Sequence, residues 1–205
     1  MSETNQSSTL STPPSLITLR APTKAAGGTS NSSSSSTTFK APPASWLMGT
    51  WHVTHSTLPM WKKARNVSIT YKTLSSDSDP RLDDQVTYQG LSSNKVNTIS
   101  GIDTPAGPGA WNWRGRGWLM IVSSHWELLG YGGEGEEMGN DMNGEQWVVT
   151  YFAKTLFTPS GIDIYSRRKE GLKQETVEAI KEALGRVDSE VVRSLVGQIF
   201  EVKSD

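Results

Sequence analysis

Between Ala44 and about Arg168, apolar and polar residues alternate in short runs, the two-residue period of strands with one buried face. Eight such runs stand at about 49–56, 65–74, 84–89, 95–103, 109–115, 118–130, 145–155 and 161–167. Turn chemistry separates them: Ser-Ser-Asp-Ser-Asp-Pro at 75–80, Gln89-Gly90, Pro105 to Gly109 and Gly132 to Gly135. Arg116-Gly117 fits a bend within one long strand as well as a turn. Eight antiparallel strands with hairpin-length connections predict a mainly β chain, an eight-stranded up-and-down β-barrel whose closure removes exposed edges. An open sandwich is the alternative. The period then changes. Val177, Ile180 and Leu184 stand at i, i+3 and i+7 of a helix over Thr176 to Leu184, and a second helix fits Ser189 to Phe200, with Gly185 near the break. Their apolar stripes are expected to cover the outside of the barrel.

Composition divides the chain near residue 43. Residues 1–43 are rich in Ser, Thr and Pro, bury too little apolar surface to offset chain entropy, and read as a disordered tail. The tail is poor in acids, as transit peptides are, but shows no basic amphipathic face. Residues 44–205 form the one expected domain. With 20 basic and 21 acidic side chains the formal charge is −1, which argues against a nucleic-acid footprint or a polybasic membrane anchor. The chain has no cysteine, which excludes disulfides and thiolate metal sites. No apolar run has the length of a membrane span or signal segment, and the cytoplasm is the expected location.

The two ends of the strand region carry the most specific pattern. Gly49-Thr50-Trp51 opens the first strand, and Ile164-Tyr165-Ser166-Arg167 closes the last. A large flat indole can plug a barrel floor, and an arginine can stack on its face. These residues resemble the lipocalin branch of the calycins, whose first strand carries G-x-W and whose closing strand carries an arginine over that tryptophan. The resemblance spans about residues 44 to 185, and its strand-to-helix exit is similar to that of bacterial-type lipocalins. The family's Thr-Asp-Tyr-like loop before the seventh strand has no counterpart: residues 133–141 read Gly-Glu-Gly-Glu-Glu-Met-Gly-Asn-Asp, the mark of an outlying member. Most classical lipocalins are secreted and disulfide-bonded; this chain is more similar to intracellular lipocalin-like proteins of fungi. The resemblance implies a structural barrel floor of Gly49, Trp51 and Arg167 and an interior able to hold a small hydrophobic molecule.

With Trp51 inward, alternation places Val53 and His55 on the same side, and Arg167 inward brings Tyr165 with it. Val67, Ile69 and Tyr71, Trp111 and Trp113, and Trp147, Val149 and Tyr151 are further candidate lumen faces. Val53, His55, Tyr71, Tyr151 and Tyr165 are therefore the candidate ligand-binding residues, with apolar burial giving affinity and the polar tips orientation. A cavity enzyme is the second reading: a cyclase or isomerase holding a polyketide- or terpenoid-like substrate in a reactive shape, with His55 or His125 as candidate catalytic residues. Glu127 stands on the same side of its strand as His125. No cofactor or metal is implied; haem held by His55 is a third reading, and a self-filled interaction scaffold a fourth. No G-x-S-x-G turn, phosphate loop or dinucleotide fingerprint is present. Asp77, Asp79, Asp83 and Asp84 lack the glycine and glutamate of a calcium loop and read as a solvated hairpin tip, as does the acidic run from Glu134 to Glu145. Oligomeric state is left open.

Overall fold

The computed structural model describes residues 17–23, 39–76, 80–133 and 145–205, with Trp118 described by its backbone. Among the described residues eight antiparallel strands of the barrel run in sequence order: β1 Gly49–Ser56, β2 Ala64–Thr73, β3 Leu82–Gly90, β4 Val96–Gly107, β5 Ala110–Gly115, β6 Ser123–Gly132, β7 Trp147–Phe152 and β8 Gly161–Ser166. Each pairs with the next, β8 returns to β1, and β1 pairs with β2, so the barrel closes. A turn of helix, α1 (Ala44–Leu47), precedes it. Helices α2 (Gln174–Arg186) and α3 (Glu190–Val196) follow. The second helix is shorter than its periodicity predicts. The chain leaves it at Gly197 and adds a two-residue strand, β9 (Phe200–Glu201), alongside the end of β1. Arg116-Gly117 is not inside a strand: a 3₁₀ turn over Gly117–Leu119 separates β5 from β6. Among the described residues no helix is long and apolar enough to cross a membrane.

Two apolar layers share the barrel wall. The inner one includes Trp51, Val53, Ile69, Tyr71, Trp111, Trp126, Val148 and Tyr165. The outer one joins Trp147, Val149, Tyr151, Ile162 and Ile164 to Ile180, Leu184 and Val192 of the helices. The expectation that Trp147, Val149 and Tyr151 face the lumen is thus reversed. Helices cover the outside of β7 and β8, both faces of those strands are buried, and alternation alone leaves the phase of β7 undecided.

Part of the stretch read as disordered is packed. Residues 17–23 lie along β6, with Arg20 donating its backbone N–H to Leu129 at 2.8 Å and Ile17 buried in the outer layer. Gly130 makes this possible, because a Cβ there would stand 2.3 Å from Leu19. Glu145 is also no solvated tip. It is buried at the start of α2, accepting from the Lys173 N–H at 2.9 Å and the Thr176 hydroxyl at 2.6 Å, in place of a side-chain cap on the helix itself. Asp77, Asp79 and the rest of that acidic run lie outside the described residues.

Candidate functional site

The barrel floor has the geometry its residue types predict. The Arg167 guanidinium lies 3.7 Å from the centroid of the Trp51 ring. It donates to the carbonyls of Thr50 at 3.0 Å, Trp46 at 2.5 Å and Met48 at 2.8 Å. Trp51 Nε1 donates to the Leu47 carbonyl at 2.8 Å. Gly49 has φ +91°, and a Cβ there would stand 3.3 Å from Arg167, so the first residue of the motif is required by both backbone and space. Burial lowers the Arg167 pKa to about 10.

Above this floor the interior holds a cavity of about 230 Å³ with almost wholly apolar walls. Ile69, Val86, Ile99, Trp113, Trp126 and Phe152 supply much of the wall, and Met60, Leu119, Val122 and Phe157 stand toward the loops at its far end. A 3₁₀ turn over Pro59–Lys63 carries Trp61 into the same space. The polar groups reaching it are Tyr71, Tyr165, Asp84, Asp163 and Ser124, with threonines 155 and 158 at the rim. A separate, more polar cleft of about 300 Å³ lies between the carboxyl-terminal tail, β1 and the approach to α2, lined by His52, His55 and Glu201 among others.

Of the predicted ligand residues, Tyr71 and Tyr165 line the cavity, whereas Val53, though part of the inner layer, borders the separate polar cleft. Tyr151 belongs to the outer layer. His55 is also displaced. A β-bulge between Val53 and His55 sets Val53 opposite Tyr165 but His55 opposite outward-facing Ile164. The imidazole therefore stands outside the barrel, beside Thr54 Oγ1 at 3.2 Å and near Lys181, Glu201 and Glu178. Burial and Lys181 lower its pKa, against the two glutamates. The bulge carries Ser56 inward instead, where its hydroxyl donates to Asp163 at 2.5 Å.

His125 and Glu127 do meet, Nε2 to Oε1 at 3.0 Å, but on the outer face. Glu127 also accepts from Arg20 Nη1 at 2.8 Å and from the Thr23 N–H and hydroxyl, both at 2.9 Å. Burial pushes its carboxyl up, and the Thr23 hydrogen bonds, the Arg20 charge and His125 overcome that, so its pKa lies below the ordinary value. This is a clamp for the amino-terminal strap. With His52, His55 and His125 all away from the cavity, no described histidine is placed to ligate a haem there.

The residues missed by sequence are the interior acids. Asp84, read as part of a solvated tip, is 7 % exposed and points inward from β3, with Oδ1 buried and unpartnered. Asp103 on β4 is fully buried; Trp126 Nε1 donates to its Oδ1 at 2.8 Å and its Oδ2 has no partner. Burial pushes Asp163 to about 7 despite the Ser56 hydrogen bond, and Asp103 to about 7 despite that from Trp126. Asp84 rises well above the ordinary carboxylate value through burial and the neighbouring Asp103 and Asp83. Tyr71 and Tyr165 are raised too, chiefly by burial. The signal was present in phase: Asp163 alternates with Tyr165 and Arg167, and Asp84 with Leu82 and Val86.

The closed antiparallel barrel, its Trp51–Arg167 floor and its carboxyl-terminal helices define a lipocalin-like fold. The chain belongs to the family of botcinic acid biosynthesis cluster B protein 12 of Botryotinia fuckeliana (strain B05.10), to which it is 30% identical over 166 residues, covering 77% of this chain and 72% of that protein. No protein-family model matches it. Among solved structures, the cockroach allergen Per a 4 superposes with a TM-score of 0.55 at 11% identity, over 83% of this chain and 93% of the allergen. The siderocalin Ex-FABP aligns at a TM-score of 0.48 and 13% identity, over 78% and 94% of the two chains.

Proposed function

We propose that the barrel binds one small, mostly hydrocarbon molecule bearing a polar oxygen function, held in the cavity above Trp51. The observation that carries this reading is the pairing of apolar walls with a buried carboxylate oxygen that has no protein partner, Asp84 Oδ1. Burying such atoms unpaired costs stability, and a ligand that pairs with them recovers it. Apolar contact then supplies affinity and the polar atoms orientation. At about 230 Å³ the space suits a compact molecule, below the roughly 300 Å³ at which drug-sized sites begin.

Native mass spectrometry of the full chain, purified from its own source, tests this. A discrete lipophilic adduct on the wild type that is absent from a Val86→Trp variant, whose added bulk occupies the cavity, is the expected result. A clean apo mass together with no binding of an apolar fluorophore such as anilinonaphthalene sulfonate overturns it.

A second reading, turnover of the bound molecule, is favoured by the relative's place in a biosynthesis cluster. On this reading the ligand is a natural-product intermediate, and the chain isomerises or cyclises it in the cytoplasm. The interior acids take the acid–base role that sequence assigned to His55 or His125.

A further inference from the structure

We propose that the open end of the barrel docks on the surface of an anionic lipid bilayer, with Met120, Ile121, Leu156 and Phe157 among the acyl chains and Lys62, Lys63 and Lys154 against the headgroups. The docking is independent of what the cavity holds.

In an up-and-down barrel, alternate connections share one end. The floor of Trp51 and Arg167 closes the end where β1 starts and β8 finishes. The connections at residues 57–63, 91–95, 116–122 and 153–160 therefore lie together at the opposite end. Met60, Leu119, Val122 and Phe157 bring three of them to the mouth of the cavity.

Two features set this end apart. Among the described residues, every large apolar side chain left exposed, except Leu74, belongs to these connections or borders them. Leu156 is 96 % exposed, Ile121 79 %, Phe157 70 % and Met120 61 %, and Met60, Leu91 and Val96 complete the set. The second feature is charge. No acidic residue occurs in any of the four connections, whereas Lys62, Lys63, Lys95, Arg116 and Lys154 do, all of them exposed. Asp83 on β3 pairs with Arg116 at 2.6 Å, and among the described residues these lysines form no ion pair. The formal charge of −1 conceals this segregation, because the acids stand elsewhere in the chain.

Exposed apolar side chains gathered in one place mark an interaction surface. The backbone at the tips suits hydrocarbon. In the 153–160 hairpin, Thr155 Oγ1 accepts from the N–H of Phe157 at 3.1 Å and of Thr158 at 3.0 Å. The Thr155 N–H donates to the Thr158 carbonyl at 2.9 Å. In the 116–122 turn, the N–H groups of Leu119, Met120 and Val122 donate to the carbonyls of Arg116, Gly117 and Leu119. Arg114 Nε donates to the Met120 carbonyl at 3.0 Å. Unpaired backbone is costly in hydrocarbon, so a tip that pairs its own polar groups can insert. Lysine stems lie along apolar surface while their ammonium groups stay at the headgroups. An anionic bilayer supplies hydrocarbon for the tips and counter-charge for the lysines in one surface. Docked so, the mouth opens toward hydrocarbon, a route for an apolar ligand; this consequence alone rests on the cavity being the ligand site.

Co-sedimentation of the full chain with vesicles tests the docking. One vesicle preparation is phosphatidylcholine alone, the other an equimolar mixture of phosphatidylcholine and phosphatidylserine. The wild type is expected to bind the mixed vesicles at least about tenfold more tightly than the neutral ones, and less tightly as salt is added. Ile121→Ser/Leu156→Ser and Lys63→Glu/Lys154→Glu should each lose at least about tenfold on the mixed vesicles. Leu74→Ser, which removes an exposed apolar side chain outside the mouth, should bind as the wild type does. Circular dichroism and urea midpoints establish that each variant is folded. A wild type that stays in the supernatant with both vesicles overturns the proposal and leaves the patch to a protein partner. Mouth variants that bind as the wild type does, or a Leu74→Ser loss as large as theirs, overturn it as well.

Discussion

Ser56 and Asp163 face each other across β1 and β8, the hydroxyl donating to the carboxyl at 2.5 Å in the barrel interior. Burial raises the folded-state pKa of Asp163 to about 7, against an ordinary value of 3.8. Between those values the folded chain holds a proton that the unfolded chain has released. Stability attached to this group is therefore full below the ordinary value, falls as pH rises toward 7, and is level above that. The lowered His52 and His55 act in the opposite sense, losing stability as pH falls through the ordinary histidine value.

Comparing the wild type with Asp163→Asn isolates the carboxyl, because the other groups are common to both. The wild type's advantage over the variant should shrink from pH 4 to pH 7, by an amount on the order of a few kcal/mol at most, and then stay constant. Urea midpoints across that range measure it. A pH-independent difference means Asp163 keeps an ordinary pKa.

Arg167 holds the floor by two means at once, the Trp51 ring and three carbonyls. Arg167→Ala removes the cation–π contact and strands those carbonyls, a loss of about 2–4 kcal/mol. Arg167→Lys should recover less than half, since an ammonium lacks the planar fork that reaches several acceptors. Chemical denaturation of the three proteins orders them; equal stability of the Lys variant and wild type would sink the account.

The floor was legible because it depends on a few residue types at fixed places: Gly49 for a positive φ, Trp51 for the plug, Arg167 for its face. Closure of eight strands and an outer helical layer also followed from periodicity, and Ile162 and Ile164 supply part of the outer face that the helices cover. The cavity was half legible. Tyr71 and Tyr165 fell in phase, but a single bulge residue turned His55 outside, and no local pattern announces a bulge. Tyr151 was misplaced because β7 is apolar on both faces. Asp84 was lost for a different reason: a carboxyl near a turn is normally solvated, and only the closed barrel shows that its strand points it inward.

The strap at residues 17–23 gives a prediction independent of the cavity. Glu127→Gln weakens the Arg20 ion pair and the hydrogen bonds from Thr23, and should cost about 1–3 kcal/mol. Gly130→Val displaces Leu19 without touching any charge. Both variants should be cut faster than wild type near residues 17–23 by a low concentration of protease, since the strap then opens before the barrel does. Cleavage at the wild-type rate in both would mean the strap is not held by these contacts.

His55 and Val86 separate the outside of the barrel from its interior. The bulge leaves His55 among Thr54, Lys181 and Glu201, so His55→Ala removes an outer side chain and should leave binding of an apolar fluorophore unchanged. Val86 lines the cavity, and Val86→Trp should abolish binding while adding the strain of overpacking, about 1–3 kcal/mol. A Val86→Ala variant controls for that strain, because it enlarges the space and should keep or improve binding of a larger probe. If His55→Ala reduces fluorophore affinity as strongly as Val86→Trp, the ligand occupies the outer cleft beside α2. The polar cleft lined by His52 and His55, rather than the apolar interior, would then be the site.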